Sequence, residues 1–251
     1  MSDEDKILDR LDALADEGDL EGVETFALKA IRKAKDPRDL WRYVAWARFE
    51  LGRLDDALTA ARTAEDPLLE GKALFHLWRF DEAEKALARS RGEAEEEAEA
   101  EWYKGVLAEF KGADGMRHFR RATKLAPDLF QEPVRLTDAQ IDEVVRKAQA
   151  DLPPAVARAI EETTIEILPL PRPDPDVDPL TLGLYTGKDL LSRSIEDSGH
   201  LPPKIEIYRR NIERIARDRV DAIDELRITL LHEIGHHVGM DEQQIEDAGY
   251  G

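Results

Sequence analysis

The chain has 251 residues, 42% of them hydrophobic, enough for one large domain or two small ones with separate cores. It has no cysteine, which excludes disulfides, a thiolate nucleophile and a cysteine-zinc site. Its formal net charge of -19 repels phosphate backbones, and no apolar run approaches the length of a membrane span, so neither nucleic acid nor a membrane is an expected partner.

The opening Met1-Ser2-Asp3-Glu4-Asp5-Lys6 is acidic and polar, without the basic and apolar regions of a secretory signal, and predicts a cytoplasmic protein. From there to residue 127, Ala, Leu, Glu, Arg and Lys dominate and β-branched residues are few, which predicts helix after helix. The turn signals are Glu17-Gly18-Asp19, Asp36-Pro37, Leu51-Gly52-Arg53, Asp66-Pro67, Lys111-Gly112-Ala113-Asp114 and Ala126-Pro127, and such short turns join helices into antiparallel hairpins. Gly18-Asp19-Leu20-Glu21-Gly22-Val23 recurs 34 residues later as Gly52-Arg53-Leu54-Asp55-Asp56-Ala57. That offset, with Trp41, Gly52, Leu54 and Ala57 on its large and small positions and Phe119, Ala122 and Pro127 ending a later helix, resembles the tetratricopeptide repeat. A third unit, Trp78 to Ala83, follows the second after only 26 residues, so the array is degenerate. Small residues such as Ala57 and Ala83 let helices approach, and Trp41 or Phe119 fills the space opposite. Glu93 to Glu101 alternates Glu with Ala and reads as an exposed helix start or a loop, and Asp128 to Leu136 reads as a linker stiffened by Pro133.

Residues 137–251 follow different rules. Thr137-Asp138-Ala139-Gln140 is a capping box opening a helix to about Ala150, and Pro153-Pro154 starts a short one. Thr164 to Leu168, Leu182 to Tyr185 and Ile205 to Tyr208 are predicted strands. Pro169 to Pro175 is too proline-rich for either element. Arg209, Arg210, Arg214, Arg217 and Arg219 form the one basic stretch, expected on the wet side of a helix or against an acidic partner. Asp221 to Val238 is a long amphipathic helix. The expected architecture is α+β, with an all-α tetratricopeptide-like hairpin array at 1–127 followed by a small α+β domain at 137–251.

The chemistry is concentrated in Leu230-Leu231-His232-Glu233-Ile234-Gly235-His236-His237-Val238-Gly239-Met240-Asp241-Glu242. Positions i and i+4 share a helix face, so His232 and His236 point two imidazoles at one ion, with Zn2+ the cation this pair suits. Glu233 beside them is the candidate general base. Leu226, Leu230, Ile234 and Val238 form the apolar stripe that seats the opposite side. Gly239 ends the helix in a left-handed turn and brings Glu242 back as a third ligand, with Asp241 the alternative. His237 shares the helix but not the ligand face and is expected to pack or to support the site. Tyr185 and Tyr208, near strand ends, are candidates to stabilise an oxyanion, though each also suits a half-buried sheet position. His200, in a predicted loop, is a candidate cleft residue or a surface histidine.

Three segments carry a family resemblance. They are Leu182-Gly183-Leu184-Tyr185-Thr186-Gly187, Ser198-Gly199-His200-Leu201-Pro202-Pro203-Lys204-Ile205-Glu206-Ile207-Tyr208-Arg209, and Leu230 to Glu242, with Gly249-Tyr250-Gly251 at the end. Over residues 137 to 251 the chain resembles the small bacterial zincin-like metallopeptidases, first grouped as a domain of unknown function. The resemblance implies a minimal zincin fold, a zinc-dependent peptidase, His232 and His236 as ligands, Glu233 as base and an acidic third ligand after Gly239. The expected function is hydrolysis of peptide bonds in a peptide or protein substrate, with the helical repeats recruiting that substrate or a protein partner. The alternative is a non-catalytic protein-binding module on a metal-stabilised or latent zincin scaffold, in which Pro169 to Pro179 lies across the groove.

Overall fold

The turn signals of the first half close helical hairpins by one recurring hydrogen bond. In the computed structural model, which describes residues 3–187 and 203–250, the first eight helices are α1 (Asp3–Asp16), α2 (Leu20–Ile31), α3 (Arg38–Glu50), α4 (Leu54–Thr63), α5 (Pro67–His76), α6 (Phe80–Arg89), α7 (Ala94–Phe110) and α8 (Met116–Leu125). Each hairpin's first helix ends the same way. The N–H of Asp19 donates to Leu14 O at 3.0 Å, Arg53 to Arg48 O at 2.9 Å, Arg79 to Leu74 O at 2.8 Å and Ala113 to Ala108 O at 2.8 Å. This closure needs a left-handed residue just before the donor. Gly18, Gly52 and Gly112 supply it with φ of 73°, 73° and 76°, and in the third hairpin Trp78 does so at 59°. The four positions are spaced by 34, 26 and 34 residues. The third turn therefore keeps the geometry without the glycine, and the Trp78 ring is held against Phe80 and Phe110 at centroid distances of 5.4 and 5.6 Å.

Small side chains make the array close-packed. Ala57 and Ala83 are buried, Phe119 is fully buried, and Trp41 packs against the cluster of Leu11, Val23, Ala27, Leu40 and Val44. The Glu93 to Glu101 stretch is a helix start exposed at first, but its last residue, Glu101, is buried, where it meets His118 Nδ1 at 2.7 Å and Lys104 Nζ at 3.0 Å.

Contacts divide the chain into two units, Met1–Gln131 with Asp174–Asp176, and Glu132–Pro173 with Val177–Gly251. The second unit contains α9 (Asp138–Ala150), α10 (Pro154–Ala159), β1 (Thr164–Leu168), β2 (Gly183–Thr186), β3 (Lys204–Tyr208), α11 (Arg209–Ile215), α12 (Arg219–Val238) and α13 (Glu242–Asp247). Thr137 and Gln140 form the expected capping box at the start of α9. The sheet order is β1-β3-β2, with β1 parallel and β2 antiparallel to β3. Ile205 and Ile207 of β3, Ile212 of α11 and Leu226, Leu230 and Ile234 of α12 form the core against α9.

The short helix α13 was not expected from the sequence, and α11 is the helix that carries the first three arginines of the basic stretch. Arg217 and Arg219 of the basic stretch are exposed, as expected, while α11 leaves Arg209 and Arg210 partly exposed and turns Arg214 inward. Arg214 is buried and donates to Asn211 Oδ1 at 2.5 Å, Arg210 pairs with Glu213 at 2.8 Å, and Arg209 with Asp138 at 2.7 Å. Glu213 is itself fully buried and accepts from the Leu136 N–H at 2.9 Å, while its carbonyl accepts from Val134 N–H at 2.9 Å. The end of the expected linker is thus pinned to α11. The proline-rich segment is also fastened there, since Arg210 N–H donates to Pro169 O at 3.0 Å and Asn211 Nδ2 to Pro179 O at 3.0 Å. Among the described residues no helix is long and apolar enough to cross a membrane.

Candidate metal centre

Helix α12 begins two residues earlier than expected because Asp218 caps it, accepting from Val220 N–H at 2.7 Å and Asp221 N–H at 3.0 Å. Its apolar stripe is fixed in the core through Leu226, Leu230 and Ile234, whereas Val238 is only half-buried. That orientation leaves the His232 and His236 side chains 27% and 30% exposed on the accessible side. Their Nε2 atoms lie 3.0 Å apart.

The helix ends where the glycine was expected to end it. Gly239 is left-handed at φ 88°, and Met240 N–H donates back to Gly235 O at 3.0 Å. The chain then starts α13 at once. Asp241 is the N-cap of α13 and accepts from Gln244 N–H at 2.9 Å, while Gln244 Oε1 accepts from Asp241 N–H at 3.0 Å. Its carboxylate is thereby committed to the cap, and Glu242, the first residue of α13, faces the histidines. Glu242 Oε1 is 3.4 Å from His236 Nε2 and Oε2 is 3.8 Å from His232 Nε2. Helix α13 is seated by the fully buried Ile245, which lies so close to Gly235 that a Cβ there would come within 2.9 Å of Ile245 Cγ1.

The spacing of these three residues is compatible with a bound metal ion. One ligand atom from each of His232, His236 and Glu242 falls within 4.8 Å of the others. Ligands about 2.0–2.1 Å from a tetrahedral zinc stand roughly 3.3 Å apart, and the separations of 3.0, 3.4 and 3.8 Å bracket that value. His232 Nδ1 lies 2.9 Å from Tyr250 O, and because a carbonyl only accepts, the proton sits on Nδ1 and the Nε2 lone pair points at the site. The Tyr250 carbonyl is a supporting group to which the sequence assigned no role, although Gly249-Tyr250-Gly251 is part of the family resemblance. Tyr250 N–H in turn donates to Ile245 O at 3.0 Å, so the end of α13 carries it into place.

Residues 160–250 match the zincin-like metallopeptidase family. The zincin-like segment runs from the end of α10 through α13 and contains every residue of the metal cluster. Among curated proteins none matches the chain. Zincin-like proteins are metal-dependent, and the donor set of two imidazoles and one carboxylate suits such an ion.

Glu233 lies beside this zincin-like cluster but is buried. Burial raises its carboxyl to about 7 in the metal-free chain, opposed by the neighbouring His232 and by a hydrogen bond from the Tyr185 backbone N–H. The hydroxyls of the two candidate tyrosines meet other side chains. The Tyr185 hydroxyl is engaged by His237 Nδ1 at 3.1 Å, and the Tyr208 hydroxyl donates to Glu206 at 2.8 Å. Tyr208 is buried, which pushes its phenol up, as does the Glu206 carboxylate. Both phenols are thus satisfied within the fold, as half-buried or buried sheet tyrosines. His200 lies outside the described residues.

Proposed function

We propose that the protein is a zinc-dependent peptidase that hydrolyses peptide bonds, with residues 137–251 as the catalytic domain and the helical hairpins of 1–127 recruiting the substrate or a protein partner. The reading rests on one observation above all: His232, His236 and Glu242 converge while Glu233 is buried one residue from the first ligand. His232 and His236, on one face of a rigid helix, and Glu242, on a separate short helix, hold the ion. When bound, zinc supplies Lewis acidity toward a carbonyl and toward water. Glu233 accepts the proton of the attacking water and returns it to the leaving amine nitrogen. The Glu233 carboxylate accepts a hydrogen bond from the Tyr185 N–H.

Two measurements test this. Reconstituted protein should hold one zinc per chain, and His236→Ala should lose it. Glu233→Gln should keep the zinc but lower turnover about 10²–10⁴-fold, because glutamine matches the size of glutamate but accepts no proton at neutral pH. A proteome-derived peptide library read by mass spectrometry offers many sequences at once, so no single substrate has to be chosen. If Glu233→Gln cleaves as fast as the parent, the base is misassigned. If the zinc-loaded parent cleaves nothing across the library, the protein-binding scaffold becomes the better reading.

A further inference from the structure

Helix α12 carries a second stripe beside the ligand stripe. Thr229, Glu233 and His237, at i, i+4 and i+8, are all buried polar residues. Strand β2 lies directly on them. A Cβ built on Gly183 would stand 2.7 Å from Glu233 Oε1 and 2.9 Å from Thr229 Cγ2, closer than side chains come. Two residues on, the Tyr185 N–H donates to the Glu233 carboxylate and the Tyr185 hydroxyl meets His237 Nδ1 at 3.1 Å.

The protonation pattern of His237 follows from its partners. Its Nε2 lies 3.1 Å from Ala159 O and 3.1 Å from Thr163 Oγ1. A carbonyl only accepts, so Nε2 carries the proton, and in the neutral ring Nδ1 is left as the acceptor for the Tyr185 O–H. His237 is fully buried and ties α12 to the 159–163 segment on one side and to β2 on the other. The sheet pairing explains why the Tyr185 N–H points away from β3 and toward Glu233. Tyr208 N–H donates to Leu182 O at 2.8 Å, and antiparallel pairing alternates, so the Gly183 and Tyr185 backbone groups face away from β3.

We propose that Gly183, Tyr185 and His237 are positioning residues that lock β2 to α12 in a single register and so hold the Glu233 carboxylate in place. Gly183 admits the Glu233 side chain between strand and helix. Tyr185 grips the helix at two points one turn apart, its backbone on Glu233 and its hydroxyl on His237. A one-residue slip of β2 would turn the Tyr185 side chain to the other face and break both contacts together. The catalytic part of this inference rests on the hydrolytic reading of Glu233, whereas the lock itself does not.

The experiment uses the full chain and two readouts. Amide hydrogen exchange of the metal-free protein should show Tyr185 N–H protected in the parent and exchanging about tenfold faster or more in Tyr185→Phe and His237→Leu, with Ile205 and Ile207 of β3 unchanged. His237→Asn places an amide oxygen near the position of Nδ1 and should restore much of the protection. In zinc-loaded protein, Tyr185→Phe should lower kcat about tenfold and Gly183→Ala about 100-fold, with KM and zinc content unchanged, as expected when a reacting group is displaced by a fraction of an ångström to 1 Å. Unchanged Tyr185 exchange in both Tyr185→Phe and His237→Leu overturns the lock. Faster exchange with unaltered kcat overturns the positioning role. If the zinc-loaded parent cleaves no peptide, the hydrolytic reading falls and the exchange data still decide the lock.

Discussion

The two units bury different kinds of residue. Among the described residues, the helical array buries mainly alanine, leucine and aromatic side chains, with Asp66, Ser90 and Glu101 as its buried polar residues. The zincin-like unit, of similar size, buries Asn211, Glu213, Arg214, Thr229, Glu233 and His237. A buried polar group costs stability unless it is hydrogen-bonded. In the array Asp66 serves as a helix cap, accepting from Leu68 N–H and Leu69 N–H at 3.0 Å each. In the zincin-like unit the polar groups fix strand β2, the proline-rich segment and Glu233 in place. The first unit devotes its sequence to packing a repeated shape, and the second gives up packing for orientation.

Three experiments test that contrast. The largest effect should come from Phe119→Ala in the array, where removing a fully buried aromatic side chain typically costs about 3–5 kcal/mol. Chemical unfolding followed by tryptophan fluorescence measures it, since all the tryptophans lie before residue 103. Zinc binding should not change; a parallel loss of zinc would show that the two units share one folding unit. Next is the third ligand. Glu242→Ala should weaken zinc binding more than 100-fold, beyond the 10–100-fold typical of a supporting residue, whereas Asp241→Ala should act through its lost cap and cost about 1 kcal/mol of stability with a smaller effect on zinc. Competition with a chelator ranks the two, and the reverse order would assign the ligand to Asp241.

The smallest effect concerns Glu101. Burial works to raise its carboxyl, but the hydrogen bonds to His118 and Lys104 outweigh it and the net shift is downward. A carboxylate lowered in the folded state adds stability above its unfolded pKa and loses it as pH falls through the folded value. Glu101→Gln should therefore destabilise the array by about 1–3 kcal/mol near pH 7, and the gap to the parent should close in acid. Urea unfolding at pH 7 and pH 3 checks the sign; a gap that widens in acid would contradict it.

The same contrast governs what could be read from the sequence. The array was legible through its turns, because Gly18, Gly52 and Gly112 each mark a left-handed helix end. The third turn was legible only as the degenerate unit beginning at Trp78, because there a tryptophan held by neighbouring rings takes the place of the glycine. In the second unit α12, the capping box at Thr137 and the strands were legible by periodicity and cap chemistry. Helices α11 and α13, of 7 and 6 residues, are too short for periodicity to show. For α13 a signal did exist, because Asp241 and Gln244 have capping-box spacing, and that signal also explains why Asp241 does not face the histidines. The convergence of His232, His236 and Glu242 was legible from spacing. The engagement of the Tyr185 hydroxyl by His237 was not, because it joins residues 52 apart in sequence through tertiary packing.

A helix of six residues does not hold its shape in water alone. Helix α13 is helical because Ile245 docks it against Gly235 and Asp241 caps it. In the proposed site, an incoming cation would meet two ligands on a rigid helix and a third that is available only in the docked fraction of molecules. The apparent dissociation constant is the intrinsic one divided by that fraction. Trimming Ile245 would then weaken coordination without touching a ligand, and the strength of a surface metal site would be set by a methyl group in the core.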